Sequence, residues 1–171
     1  MFNGNRCDQH KLQRNFVQRV IGRIVFFSKK IIVDTGFIVA LFNAKDEWHG
    51  EAKKVAERVG HLNWCTTSFV VQEIFWLLSR RAGAEVAHTF LHKIESLFTL
   101  PNLLRGWPVQ ISKILERYAS AKIDLADASL VVLADHLKTG QIVSVDRKDF
   151  SILRWNGGKS LFHNLMDATE T

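Results

Sequence analysis

The chain has 171 residues, 47% of them hydrophobic, with 12 Phe and 5 Trp, which suits one packed domain and excludes a disordered or low-complexity protein. Its formal charge of +6 is no signature of a nucleic-acid module, because residues 1–30 hold seven Lys/Arg against one acid while residues 31–171 hold sixteen of each. Two cysteines, Cys7 and Cys65, exclude a disulfide framework or a zinc set; no run reaches membrane-span length and none reads as a signal peptide, so a cytoplasmic setting is expected.

Residues 1–30 read as a basic extension. Leu12, Phe16, Val20 and Ile24 recur four apart within 11–27, the pattern of an amphipathic basic helix. It serves as a membrane-surface or RNA-binding arm, or is an appendage (helical, disordered or translated upstream of the true start) to a domain over 31–171. Ile31-Ile32-Val33 predicts a short central strand that delivers Asp34, and Gly36 opens a helix to about residue 44. Asp46 caps a second helix over 48–59, closed by Gly60. A strand over 63–67 follows, then a helix capped by Thr67 or Ser68 and running to Arg81, then a helix over 84–98. Residues 103–107 suit an edge strand, Pro108 opens a helix to about Tyr118, and a further helix covers 123–138. Residues 141–145 form a strong buried strand ending at Asp146, and 150–166 contain a turn at Asn156-Gly157-Gly158 and one last short strand. Strands alternating with helices predict an α/β fold: a three-layer sandwich with a mostly parallel sheet of four to five strands and helices on both faces.

Two strands therefore end in Asp, where parallel sheets place their sites. Each Asp alone reads as a turn former. Glu73 lies among Phe69, Ile74, Leu77 and Leu78, and either points inward toward a partner or faces solvent beside Gln72. Asp124 suits an N-cap and Asp127, three residues on, suits ligation of a cation. Asp149 either supports Asp146 or caps the following turn.

The ordered set Val-Asp34-Thr35, Thr-Ser-x-x-x-x-Glu73, Leu-Ala-Asp127-Ala-Ser-Leu and Ser144-x-Asp146-x-x-Asp149-Phe resembles a PIN-domain ribonuclease, most closely the VapC-type toxins of prokaryotic toxin–antitoxin pairs. The likeness covers about residues 31–165, and residues 1–30 depart from it. It implies a PIN-like fold, an acidic quartet of Asp34, Glu73, Asp127 and Asp146, and auxiliary places for Asp124, Ser144, Asp149 and Thr35. It also implies a cognate antitoxin protein and a homodimer, with Phe42, Trp48, Phe75 and Trp76 as interface aromatics.

Carboxylates sharing a pocket repel one another unless a cation is bound, and oxygen-only ligands favour Mg²⁺ or Mn²⁺. The expected chemistry is hydrolysis of an RNA phosphodiester. Arg80, Arg81, Arg147, Lys148, Arg154 and Lys159 are candidate phosphate contacts, and Trp155 is a candidate base-stacking surface. A phosphatase with a strand-end Asp nucleophile wants a second acid where Gly36 stands, and a receiver domain wants a Lys where Asp146 stands. A PIN-type nuclease of RNA processing, or an interaction module with an inactive acidic cluster, remain the alternatives.

Overall fold

The structure is a computed structural model that describes residues 29–102 and 105–167. The helix predicted over 11–27 lies outside the described residues.

Strand β1 (Lys30–Val33) is the centre of the sheet. Ile31, Ile32 and Val33 are all fully buried although successive side chains point to opposite faces, so both faces are covered by other elements. The four-stranded sheet runs β2 (Asn63–Cys65), β1, β3 (Gln141–Val143), β6 (His163–Asn164), and every pairing in it is parallel. Ile32 faces Cys65 on one side and Ile142 on the other. The chain leaves β1 toward β2 and returns on the opposite side at β3. That reversal opens a crevice at the C-terminal ends of β1 and β3.

Helix α1 (Thr35–Phe42) is buried along nearly its whole length, so its sequence is apolar all round rather than amphipathic. Among the aromatics expected at interfaces, Phe42 belongs to this core and meets Phe90 edge-on at 5.7 Å, whereas Trp48 and Phe75 are half-buried and Trp76 is exposed. Helix α2 (His49–Val59) packs on α1, and Asp46 accepts from the Trp48 N–H just ahead of it. Helix α3 (Ser68–Arg81) is capped by Thr67 and packs on α1. Two further helices follow, α4 (Ala84–Leu91) and α5 (Ile94–Leu97), where one helix over 84–98 is expected. The turn at His92–Lys93 lets both Leu97 and Phe98 enter the core, where Phe98 lies beside Trp64 and Phe90. It also delivers Thr99 to the outer edge of β2 in a parallel bridge to Cys65, with Thr99 N–H on the Trp64 carbonyl at 2.8 Å.

That bridge sits earlier than the edge strand expected over 103–107. Residues 103–104 lie outside the described residues, Arg105-Gly106 is a turn, and α6 (Trp107–Arg117) begins at Trp107. Helix α7 (Leu125–Leu137) packs against α6, α3 and β1. Helix α8 (Arg147–Ile152) follows β3, and an antiparallel pair, β4 (Arg154–Trp155) and β5 (Ser160–Leu161), leads into β6. The strands expected over 63–67 and 141–145 stop two residues early, because Thr66, Thr67, Ser144 and Val145 leave the ladder to build the crevice.

Gly36 is where α1 comes closest to the loop after β3: a Cβ there would collide with Val145 Cγ2. Gly50, in the first turn of α2, has open space around it. Gly36→Ala is therefore expected to lower stability by about 1–3 kcal/mol through overpacking. Gly50→Ala is expected to raise it by about 0.5–1 kcal/mol through helix propensity. Urea melts of the two variants beside the parent chain check both signs.

Candidate active site

The crevice is floored by Asp34. This carboxylate is 6% exposed at the N-terminal end of α1, where strand geometry and the buried faces of β1 leave it little water. Its backbone N–H continues the β1–β3 ladder by donating to the Val143 carbonyl at 3.1 Å. Its Oδ2 accepts a 2.6 Å hydrogen bond from the Ser144 hydroxyl. Ser144 is fully buried, and its Oγ in turn accepts from the Asp146 N–H at 2.9 Å. One hydroxyl thus links the two strand-end acids.

Glu73 points inward: it is half-buried, and its Oε2 accepts from Thr35 Oγ1 at 2.7 Å. Asp124 and Asp127 form a reciprocal cap at the start of α7, each backbone N–H donating to the other's carboxylate at 3.1 and 3.0 Å. Asp146 caps α8 by accepting from the Asp149 N–H at 2.9 Å. Asp34 is buried, Glu73, Asp127 and Asp149 are half-buried, and Asp124 and Asp146 are exposed, so the acids grade from floor to rim.

These acids feel one another. Burial pushes the Asp34 carboxyl up to about 6, against the Ser144 hydrogen bond and with added repulsion from Glu73 and Asp146. Burial pushes Asp127 up to about 8, with repulsion from Asp34, Asp124 and Asp149 adding to it. Glu73 is raised by burial and by Asp124, although Thr35 and Arg81 oppose this. Asp149 is raised by partial burial and by Asp146 and Asp124, with Lys148 opposing. Even so, the carboxylates share a field without meeting at a point: among the described residues, no three His, Cys, Asp or Glu side chains converge to hold one metal ion as they stand.

The PIN domain family profile matches residues 31–155, a span that contains Asp34, Glu73, Asp127 and Asp146. The chain belongs to the PIN-domain family. Ribonuclease VapC26 of Mycobacterium tuberculosis is 30% identical to this PIN protein over 129 residues, 75% of this chain and 95% of that one. The crystal structure of Mycobacterium tuberculosis VapC20, a sarcin–ricin loop cleaving toxin, shares the fold at a TM-score of 0.64 and 23% identity, covering 70% of this chain and 92% of that chain.

Two of the candidate phosphate contacts are engaged within the chain. Arg147 pairs with Glu51 at 3.0 Å and Asp167 at 2.8 Å and lies over the Trp48 ring. Arg154 donates from Nη1 to the carbonyls of Ser151, Ile152 and Leu153, closing the end of α8. Trp155 packs over Gly140 and donates to the Leu161 carbonyl, a role in the β4–β5 hairpin rather than an open stacking surface. Arg81 lies near enough to Glu73, and Lys148 to Asp149, to offset their repulsion, and Arg80 sits over the exposed Trp76 ring at 4.4 Å.

Sequence reasoning missed Asn164 in β6. Its Oδ1 accepts from Ser144 N–H at 3.2 Å and Met166 N–H at 3.1 Å, and its Nδ2 donates to the Ser144 carbonyl at 2.8 Å. Its strand is two residues long, so no alternation in the sequence marked it.

Raised carboxyl pKa values mean that the folded state binds protons more tightly than the unfolded one. Their contribution to stability is therefore present below the ordinary carboxylate pKa and is lost as pH rises through the raised values. In chelator, stability is expected to fall across the window from the ordinary carboxylate range up to about 8, the raised Asp127 value. Asp127→Asn keeps an acceptor for the Asp124 N–H and removes this titration. Its Tm relative to the parent chain is expected to climb steadily through the window in thermal melts; a flat difference contradicts the assignment.

Proposed function

We propose that this PIN protein is a divalent-cation-dependent endoribonuclease that hydrolyses RNA phosphodiester bonds, and that it is the toxin of a toxin–antitoxin pair. The observation that carries this reading is the set of mutually repelling carboxylates, led by Asp34 and Asp127, at the crevice where the sheet reverses. The near-complete coverage of Ribonuclease VapC26 supports the same reading.

The donor set is chemically suited to a hard cation. It consists of the carboxylates of Asp34, Glu73, Asp127 and Asp146 with the hydroxyls of Thr35 and Ser144 beside them. Oxygen donors of this kind match Mg²⁺ or Mn²⁺. Asp34 and Asp146 are the primary ligands in this reading, and Asp127 and Glu73 complete the set. When bound, the cation supplies Lewis-acid stabilisation of the phosphate and lowers the pKa of a coordinated water.

The chain's own residues position the parts. Ser144 fixes the Asp34 carboxylate, Thr35 fixes Glu73, and the α7 cap orients Asp127 through its Oδ2. Arg80, Arg81 and Lys148 hold the RNA through its phosphates, which gives affinity without reading sequence. Exposed Trp76, Leu91 and Val109 are apolar surface that an antitoxin or a second copy of the chain covers.

Purified protein incubated with mixed RNA is expected to cleave it with Mn²⁺ or Mg²⁺ and to stop in EDTA. Asp34→Asn is expected to lower the rate by roughly 10²–10⁴-fold, the scale on which a lost electrostatic or proton-handling group registers. Cleavage that survives both the chelator and the substitution removes the metal-nuclease reading. Growth arrest on expression that vanishes with Asp146→Asn supports the toxin role, and cleavage without arrest assigns the nuclease to RNA processing instead.

A further inference from the structure

We infer that Asn164 is a positioning residue for the catalytic carboxylates, acting through Ser144; this rests on the nuclease reading above. The argument begins at the end of the β3–β6 ladder. The last paired positions are Ile142 and Asn164, and the Leu165 N–H closes the ladder on the Ile142 carbonyl at 2.8 Å. Ser144 lies beyond, with a backbone N–H and carbonyl that are buried and need partners. The Asn164 carboxamide supplies both, taking the Ser144 N–H on Oδ1 at 3.2 Å and donating from Nδ2 to the Ser144 carbonyl at 2.8 Å. It acts as a peptide unit made from a side chain and extends the sheet by one residue. The second bond on Oδ1, from Met166 N–H at 3.1 Å, fixes which end of the amide faces which way, because the reverse orientation sets NH₂ against two N–H groups.

Holding the Ser144 backbone matters because its hydroxyl serves two acids. With one proton to give, Oγ donates to Asp34 Oδ2 at 2.6 Å and turns a lone pair to the Asp146 N–H at 2.9 Å. Both bonds are met at once when Ser144 is held at one backbone position. The order of action runs from Asn164 to Ser144 to the spacing of Asp34 and Asp146. Asn164 touches neither acid and lies beyond residue 155, where the match to the family profile ends.

The test is a double-mutant cycle on RNA cleavage in Mn²⁺, using the full chain. Asn164→Ala and Ser144→Ala are each expected to lower kcat roughly 10–100-fold, the usual loss on removing a group that orients a ligand. KM for RNA is expected to stay within about twofold, since neither residue binds substrate. The double variant is expected to fall no further than the worse single one, because both changes cut one chain of contacts. Asn164→Asp keeps the two acceptor bonds but sets a carboxylate oxygen against the Ser144 carbonyl where Nδ2 donated, and is expected to lose kcat as well. Thermal melts of each variant give the folded fraction by which rates are corrected; if Asn164→Ala unfolds, Asn164→Asp, which keeps the two acceptor bonds, takes its place in the cycle.

Unchanged kcat in Asn164→Ala, losses that multiply in the double variant, or an effect confined to KM each overturn the inference. If the parent chain cleaves no RNA, the nuclease reading fails and the geometry is read instead by amide hydrogen exchange. Asn164→Ala is then expected to speed exchange at Ser144 and Asp146 while Ile32 and Val33 stay protected, and equal protection at all four overturns the positioning role.

Discussion

A carboxylate placed at the end of a fully buried strand is the constraint from which the rest of this molecule follows. Asp34 stands where β1 emerges between two covered faces, and taking an anion out of water there is costly without compensation. Compensation within the chain is partial: one hydroxyl and the start of α1 face it, and burial still pushes its pKa up to about 6. Neighbouring acids add to the strain. Natural cores avoid such an arrangement unless a ligand completes it, which supports the site proposed at this end of the sheet.

The topology explains how acids so far apart along the chain share that field. Reversal of strand order between β1 and β3 brings residues 34 and 144–146 side by side. Helix α3 reaches over from the β2 side to present Glu73 to Thr35, and α7 enters with its cap facing the same crevice. Asp34, Asp124, Asp127 and Asp146 are each held by a local device that folding requires anyway, a cap or a strand end, while mid-helix Glu73 is held by Thr35. Evolution of such a site needs little beyond placing acids at positions where the backbone already wants an acceptor.

That economy also governs what was legible in the sequence. Runs such as Ile31-Ile32-Val33 and Gln141-Ile142-Val143 announce buried parallel strands by composition, so Asp34 and Asp146 stand out as their terminal residues. Glu73 was ambiguous because a half-buried helical face serves either a core or a site, and the Thr35 hydroxyl that turns it inward lies 38 residues away. Arg147 looked like an available cation, yet its partners Glu51 and Asp167 come from opposite ends of the domain. The kink between α4 and α5 was invisible because helical periodicity runs straight through His92, and the reason to stop is the tertiary demand that Phe98 reach Trp64. Asn164 sits in a two-residue strand, too short for any alternation to show.

The position of β6 after the other strands of its sheet bears on the order in which the molecule is built. β1, β2 and β3 are complete by residue 143, and both strand-end acids are present by residue 146. The amide that grips the loop between them comes 18 residues later, and the Asp167 carboxylate that pins Arg147 later still. A ribosome-bound chain, folding from its N-terminal side, therefore carries both acids before it carries their common anchor.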